Sequence, residues 1–357
     1  MKNANKRHTR AGKVIKIISL IIAGLILLTI IVLFAVRGVN ALKLRLPGGI
    51  IEKRYVELGG FEQFISIRGE DENNPVVIFL HGGPGSPVGF LSYVYQPALE
   101  SDYTFIQWDQ RGSGRTYYKS PDAPLSFENM LCDLDDLVDY AVARFHQPVY
   151  IIGHSWGTAL GITYAAEHPG KIARYIGIGQ MIDTVESGRL QADAAANAAR
   201  VAGSDADAEL IIEIFNTNGV FGEENFDFSK FVELSQMASR YLDPNSKNPT
   251  LAALVSPDFG WNDLRYQLLL MLDSTGHLDN QMPLLETLAG FKPPESPGVP
   301  SAFIGGQRDY VCSTILAKEY ADSVHAPFYE MGNTGHAPMY DDPVAFAEVL
   351  KEALSGR

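Results

Sequence analysis

A serine between two glycines follows a short apolar run in the stretch VYIIGHSWGT, residues 149–158. Residues 153–157 match the pattern Gly-x-Ser-x-Gly, in which a sharp turn between a strand and a helix exposes the serine hydroxyl. Glycines are needed there because larger side chains would collide with neighbouring elements. The pattern predicts that Ser155 is a nucleophile that attacks a carbonyl group. The alternative is a small residue in an ordinary turn.

A serine hydroxyl becomes a good nucleophile when a base takes its proton and a carboxylate orients that base. In hydrolases with this turn, the acid and then the histidine follow the serine along the chain. Asp309 and His336 occur in this order, each after a strand-like run. Asp322 and Asp341 are the other candidate acids, but Asp322 is predicted within a helix and Asp341 follows the histidine. The sequence therefore predicts a catalytic triad of Ser155, Asp309 and His336.

Two backbone amides are predicted to stabilise the negative oxygen that forms during the attack. The stretch HGGPG, residues 81–85, follows an apolar run, and its glycines let a substrate approach the backbone. We expect the amides of Gly83 and Trp156 to form this oxyanion hole, although the composition also fits a plain turn. His154 adjoins the serine, but neighbours in a tight turn point apart. We therefore expect His154 to have a packing or hydrogen-bonding role.

The elements that carry these residues alternate between short apolar strands and longer helices. This alternation predicts a mostly parallel sheet with helices on both faces, and functional groups gather at the carboxyl ends of strands in such sheets. Strands are predicted at residues 56–58, 61–68, 75–80, 104–108, 149–152, 175–179, 301–305 and 328–331. Helices are predicted at residues 126–145, 158–167 and 343–354.

Residues 184–300 interrupt the alternation and predict a helical cap inserted between two core strands. This interval is rich in alanine, asparagine and acidic residues. Its helix-like segments lie near residues 186–202, 206–216, 227–240 and 262–273. We therefore expect an N-terminal segment (1–45), an α/β core (46–183 and 301–357) and the cap.

The N-terminal segment is predicted to anchor the chain in a membrane. Residues 17–36 carry no charge, and 20 apolar residues are about the length needed for a helix to cross a bilayer. Six Lys or Arg residues precede this stretch, while Arg37, Lys43 and Arg45 follow it. This excess favours a cytoplasmic N-terminus and an extracytoplasmic catalytic domain. A cleaved signal peptide, ending at residues 39–41 (VNA), is the alternative and would give a secreted protein.

The charge and cysteine content exclude several other classes of protein. A formal net charge of −13 argues against a nucleic-acid partner, because binding phosphates needs a clustered basic surface. Cys132 and Cys312 lack metal-ligand spacing, so no metal site is expected. Two free buried thiols are favoured over one long-range disulfide.

The motifs together resemble the α/β-hydrolase family that contains the prolyl iminopeptidases. HGGPG, WDQRGSGRT (108–116), GHSWGTALG, GGQRD and TGHAP occur in the family order over about residues 50–355. The resemblance implies the α/β-hydrolase fold with a helical cap, the triad and oxyanion hole named above, and no cofactor. It also implies that Asp109 and Arg111 form a structural pair beside the site. The implied activity is cleavage of an N-terminal residue, proline above all, from short peptides.

Two departures from the family pattern leave the substrate open. Family peptidases hold the free amino terminus with cap glutamates introduced by a Trp-Glu motif, and this chain has no such motif. Its candidate ammonium partners are Glu209, Glu213, Glu223, Glu224 and Glu233. A histidine also precedes the serine, as is common in esterase-like relatives. A carboxylesterase or lipase-like enzyme acting on small or lipid-derived esters is therefore the alternative, and a ligand-binding module that has kept the fold is a third.

Overall fold

The apolar runs of the sequence form one eight-stranded sheet in the computed structural model, which describes residues 2–218, 226–244, 247–272 and 277–356. The strands are β1 (Ile50–Leu58), β2 (Phe61–Gly69), β3 (Val76–Leu80), β4 (Thr104–Asp109), β5 (Val149–His154), β6 (Arg174–Ile178), β7 (Ser301–Gly306) and β8 (Phe328–Met331). Their order across the sheet is β1-β2-β4-β3-β5-β6-β7-β8. The pairs β1–β2 and β2–β4 are antiparallel and the rest are parallel, as expected for a mostly parallel sheet.

Helices cover both faces of the sheet. The core helices are α2 (Gly114–Lys119), α3 (Phe127–Phe145), α4 (Trp156–Glu167), α11 (Thr314–Ser323), α12 (Pro338–Asp341) and α13 (Pro343–Ser355). Apolar residues of α3 and α4 pack on one face, and Phe346 and Leu350 of α13 pack on the other. The hydroxyl of Ser126 accepts a hydrogen bond from the amide of Asn129 at 3.1 Å, so Ser126 caps the start of α3.

In the described part of the chain, six helices lie between β6 and β7, where the sequence predicts the cap. They are α5 (Thr184–Val201), α6 (Asp205–Thr217), α7 (Phe228–Leu242), α8 (Thr250–Val255), α9 (Trp261–Leu272) and α10 (His277–Glu286). Helices α5, α6 and α7 share a hydrophobic core of their own that includes Ala195, Ile211 and Leu234. The sequence did not predict α8, which has only six residues, or α10, which contains Pro283. The division of the chain into core and cap at residues 184 and 300 stays a prediction.

The N-terminal segment forms a single helix, α1 (Lys2–Lys43). In the part from Val14 to Lys43, the most apolar 18 residues have a mean hydropathy of 3.2, and none of them is buried in the protein. By length and composition this helix could cross a membrane, and a signal sequence would pass the same test. The end of α1 touches the folded body, because Arg37 Nη2 donates to the Phe259 carbonyl at 2.6 Å and Asn40 Nδ2 donates to the Val255 carbonyl at 3.0 Å.

Both cysteines are free, but only one is buried. Cys312 is buried and Cys132 is exposed, so the expectation of two buried thiols is wrong for Cys132. The reason is the phase of α3, whose buried stripe runs through Leu134, Leu137 and Val138 and leaves Cys132 on the outer face.

Candidate active site

Ser155 lies in a strained turn between β5 and α4. Its backbone has φ 54° and ψ −123°, a left-handed conformation that is uncommon for a residue with a side chain. The glycines on either side are sterically required: a Cβ on Gly153 would lie 2.5 Å from the Gly157 carbonyl oxygen, and one on Gly157 would lie 2.3 Å from the Leu80 carbonyl oxygen. The Ser155 amide donates to the Ile178 carbonyl of β6 at 3.0 Å, which fixes the turn to the sheet.

The structure brings the three residues of the predicted triad together. Ser155 Oγ lies 2.9 Å from His336 Nε2, and His336 Nδ1 lies 3.0 Å from each carboxylate oxygen of Asp309. Asp309 Oδ1 also accepts from the amides of Val311 and Cys312 at 3.0 Å each, which holds the carboxylate in place. The hydroxyl, imidazole and carboxylate thus form one chain of hydrogen bonds.

The two other candidate acids are used elsewhere or lie at the surface. Asp341 Oδ2 accepts from the Gly335 amide at 2.7 Å, so this carboxylate supports the loop that carries the histidine. Asp322 is exposed near the end of α11. The position of each carboxylate agrees with the choice of Asp309 as the partner of His336.

Opposing effects act on the two histidines beside the nucleophile. Burial lowers the pKa of His336, but the charge of Asp309 and its hydrogen bond outweigh burial, so the pKa is raised above its usual 6.5. Burial lowers the pKa of His154 to about 4. His154 is therefore neutral near pH 7, and its Nε2 lies 2.9 Å from the His336 carbonyl oxygen. The expected hydrogen-bonding role of His154 is confirmed: it holds the loop of the candidate base.

The HGGPG loop lies against the nucleophile. A Cβ on Gly82 would lie 3.1 Å from Ser155 Cβ, and Gly83 adopts φ 118°, a conformation that favours glycine. Gly83 and Ser155 line the same cavity. The Trp156 amide is the first of α4, directly after Ser155, so it has no hydrogen-bond partner within the helix. Gly83 and Trp156 both lie close to Ser155, and their role as an oxyanion hole stays a prediction.

Two residues of the helices between β6 and β7, which the sequence did not single out, hold this loop and the nearby turn at Gly112 in place. The Tyr266 hydroxyl of α9 lies 2.8 Å from the Gly85 carbonyl oxygen and 3.3 Å from that of Gly112. Gln281 Nε2 of α10 donates to the same Gly112 carbonyl at 3.2 Å. Neither residue belongs to a motif, and each acts from a helix more than 150 positions away along the chain. No sequence signal could have identified them.

The expected pair of Asp109 and Arg111 does not form. Arg111 instead binds Asp133 of α3 through Nε at 2.7 Å and Nη2 at 2.5 Å. Asp109 Oδ2 accepts from the Arg115 amide at 2.9 Å. The two side chains face different elements: the Asp109 carboxylate lies at the start of α2, whereas the Arg111 guanidinium reaches α3. Both residues stabilise the turn, but with different partners.

The cavity beside Ser155 has a volume of about 390 Å³ and mostly apolar walls. Its apolar lining residues are Met181, Phe231, Leu270, Leu285, Leu288 and Val311, with the neutral polar residues Ser86, Thr184, Gln191, Ser235 and Gln281 and the thiol of Cys312. Among the described residues that line it, none carries a carboxylate. Glu209, Glu213 and Glu233 are exposed and do not line the cavity, while Glu223 and Glu224 lie outside the described residues.

Gln281, which lines this cavity, has a side-chain oxygen without a hydrogen-bond partner among the described residues. The residue is only 1% exposed, and its Nε2 is occupied by the Gly112 carbonyl. Its Oε1 is buried and accepts no hydrogen bond from the part of the chain that the structure describes. A buried acceptor without a donor is costly. A donor on a bound molecule would remove that cost.

No metal site accompanies these groups in the described part of the chain, residues 2–218, 226–244, 247–272 and 277–356, where no three His, Cys, Asp or Glu side chains cluster to hold an ion.

Comparison with known proteins places this arrangement in a family. The model of the Alpha/beta hydrolase family matches residues 77–349. The probable aminopeptidase YbaC of Bacillus subtilis (strain 168) is 26% identical over 305 residues, covering 83% of this chain and 93% of that protein. A proline iminopeptidase of Clostridioides difficile (strain 630) is 22% identical over 315 residues, covering 85% and 98%.

A solved structure shares the fold. The crystal structure of a proline iminopeptidase-related protein from Thermus thermophilus has a TM-score of 0.55 and 21% identity, covering 86% of this chain and 98% of that one. The resemblance to proline iminopeptidases found in the sequence is therefore confirmed, at low identity. With its family model, its curated relatives and its fold in agreement, this hydrolase belongs to the alpha/beta hydrolase family.

Proposed function

We propose that this hydrolase removes an N-terminal residue, such as proline, from short peptides through an acyl-enzyme on Ser155. The observation that carries the serine mechanism is the hydrogen-bonded chain Ser155, His336 and Asp309, with distances of 2.9 and 3.0 Å. The same chain of groups activates serine nucleophiles on several unrelated folds.

The proposed reaction proceeds in two steps. Ser155 Oγ attacks the substrate carbonyl while its proton passes to His336 Nε2, and Asp309 stabilises the imidazolium that forms. The amides of Gly83 and Trp156 hold the negative oxygen of the tetrahedral intermediate. The C–N bond then breaks as His336 returns the proton to the leaving amine. Water attacks the acyl-enzyme with His336 as base, and Ser155 is released.

The relatives and the cavity support a peptide substrate. The relatives named above are a probable aminopeptidase and a proline iminopeptidase. The apolar walls suit an apolar N-terminal residue, and the unused acceptor of Gln281 suits an N–H donor on the substrate. These three features together favour an aminoacyl amide over a plain acyl compound.

A second candidate is hydrolysis of esters, which one observation favours. No described residue lining the cavity carries a carboxylate that could pair with a substrate ammonium group. An uncharged acyl chain needs no such ionic partner, so walls without a carboxylate suit it. The triad serves either reaction, because both pass through the same acyl-enzyme.

Proline 2-naphthylamide and short p-nitrophenyl esters separate the two candidates. We expect the purified enzyme to turn over the naphthylamide as well as the esters. Turnover of esters without any turnover of aminoacyl naphthylamides would reject the peptidase and establish the esterase. Inactivity toward both, with no labelling by a fluorophosphonate, would reject the serine mechanism itself.

The pH dependence tests the role of His336. The base must be neutral to accept a proton, and a group is neutral above its pKa. Because the pKa of His336 is raised, we expect kcat/KM to rise with pH through a midpoint above 6.5. Removing the charge of Asp309 should move this midpoint to lower pH. A profile measured with an uncharged ester and lacking any such midpoint would contradict the assignment.

Replacing Gln281 with methionine tests whether its free acceptor binds substrate. Loss of one hydrogen bond to the substrate is expected to raise KM for proline 2-naphthylamide by up to about 10-fold. KM for a p-nitrophenyl ester, which has no N–H donor, should change far less. Gln191, another glutamine of the cavity wall, provides the control as Gln191→Met. Equal changes in KM for both substrates would indicate general damage to the cavity.

We further propose that α1 anchors the enzyme in a membrane, with residues 17–36 in the bilayer, the N-terminus in the cytoplasm and the catalytic domain outside. The contacts of Arg37 and Asn40 with the body support an uncleaved anchor, because cleavage after residue 41 would remove both. Mass spectrometry of the mature N-terminus is the test. A chain that starts at Leu42 would establish a signal peptide instead.

A further inference from the structure

The contact between α1 and the cap fixes which part of the body lies nearest the membrane. Arg37 is the first charged residue after the uncharged stretch 17–36, and such a residue lies at the level of the lipid headgroups. Its guanidinium donates to the Phe259 carbonyl at 2.6 Å. One helical turn later, Asn40 donates to the Val255 carbonyl. The segment from 255 to 259 therefore lies at headgroup level if α1 crosses the bilayer.

Large apolar side chains are exposed on both sides of this segment. Leu251 is 65% exposed and Leu254 is 38% exposed, and their spacing of three places them on the same face of α8. Trp261, at the start of α9, is 69% exposed. The opposite face of α8 packs inward, because Ala252 and Ala253 contact the cluster that contains Phe90 and Phe259. We name Leu251, Leu254 and Trp261 the apolar face.

The acidic residues near the apolar face in sequence are both engaged in ion pairs. The two acidic residues between positions 250 and 265 are Asp258 and Asp263. Asp258 pairs with Lys53 at 2.5 Å, and Asp263 pairs with Arg115 at 2.6 Å and is buried. Both negative charges are thus neutralised within the protein. Tryptophan and leucine beside a basic helix end are typical of a surface that lies in the interface of a bilayer.

We propose that the apolar face rests on the bilayer beside α1 and holds the hydrolase in one orientation on the membrane. This inference rests on the proposed anchor, since a secreted enzyme would carry no membrane next to Phe259. Two attachments, the helix and the apolar face, prevent the body from turning about a single tether. Trp261 and the cavity-lining Leu270 lie nine residues apart on α9, about 14 Å along the helix axis. The cavity beside Ser155 therefore lies within the length of one helix from the apolar face.

Tryptophan fluorescence of the full-length protein tests this contact directly. The chain has three tryptophans, and Trp108 and Trp156 are 2% and 0% exposed inside the core. The enzyme is reconstituted into phosphatidylcholine vesicles and into vesicles whose acyl chains are brominated close to the headgroup. We expect lower emission in the brominated vesicles, because bromine quenches a tryptophan that touches lipid. Trp261→Phe should lose this difference.

A second pair of variants separates contact with lipid from a change in folding. Leu251→Glu combined with Leu254→Glu should reduce the quenching of Trp261 by lifting the face off the bilayer. Ile315→Glu is the control, because Ile315 is similar in size to leucine and is 59% exposed on α11. This substitution should leave the quenching unchanged. Activity toward an ester in detergent reports whether each variant is folded.

The outcomes distinguish failure of the contact from failure of the anchor. If the protein floats with the vesicles and its emission is the same in both lipids, the apolar face does not touch the membrane and the inference is wrong. If Trp261 instead becomes shielded from solvent only as the protein concentration rises, a second copy of the chain covers the apolar face. That result would also overturn the inference. If the protein does not float with vesicles at all, the anchor itself is rejected, and the membrane contact with it.

Discussion

Ser155→Ala is expected to lower kcat by about 10⁴-fold or more, the loss that removal of a triad serine causes elsewhere. Alanine cannot form the acyl-enzyme, so only binding and the oxyanion amides would still act on the substrate. The fold should persist, because the bonds that hold the turn use the Ser155 backbone amide and carbonyl, which alanine keeps.

The kcat of Ser155→Ala is measured with the better of the amide and ester substrates. Ser323→Ala provides a matched control, since Ser323 is exposed on α11 and its hydroxyl donates to the nearby Tyr320 carbonyl. A fluorophosphonate should label the wild type and Ser323→Ala but not Ser155→Ala. A Ser155→Ala enzyme with nearly normal kcat would refute the serine mechanism.

Asp309→Asn is expected to lower kcat by about 10⁴-fold without unfolding the protein. The asparagine oxygen can still accept from the amides of Val311 and Cys312, which now bind Asp309 Oδ1. Its NH₂ group would then point toward His336 Nδ1 and donate to it. That bond places the imidazole proton on Nε2, which faces Ser155, so the histidine cannot accept the serine proton.

Asp322→Asn is the control for this variant, because Asp322 was another candidate acid and is exposed on α11. We expect its kcat to remain close to that of the wild type. The ranking of the two acids would be reversed if Asp322→Asn lost activity while Asp309→Asn kept it. Circular dichroism and thermal unfolding of both variants show that the comparison is made between folded proteins.

Short-range sequence patterns were enough to predict the turn at Ser155 and the two side chains that the structure brings to it. The turn around Ser155 is determined by Gly153 and Gly157, two positions to either side of it, whose steric role is local. Asp309 and His336 could be ranked because each follows a strand, and parallel strands end at one edge of the sheet. The first strand was predicted too short, because β1 begins at Ile50 and not at residue 56. Its charged run of Glu, Lys and Arg lacks the apolar pattern of a buried strand, since β1 lies at the edge of the sheet.

Contacts between distant parts of the chain could not be predicted. Arg111 was expected to bind its neighbour in sequence, Asp109, but Asp133 of a later helix lies closer in space. The hydrogen bonds of Tyr266 and Gln281 depend on how the cap sits on the core. Cap helices carry no pattern that specifies this placement, because a helix needs only one apolar face to pack.

The Tyr266 hydroxyl links α9 to the loop that carries one amide of the proposed oxyanion hole. It contacts the carbonyl oxygens of Gly85 and Gly112, so a helix of the cap braces the loop that carries Gly83. A movement that raised α9 to release a product would also disturb the proposed oxyanion hole. Substitutions in this helix that widen the cavity for a new substrate therefore carry a penalty in turnover, which constrains how freely evolution can reshape the cap.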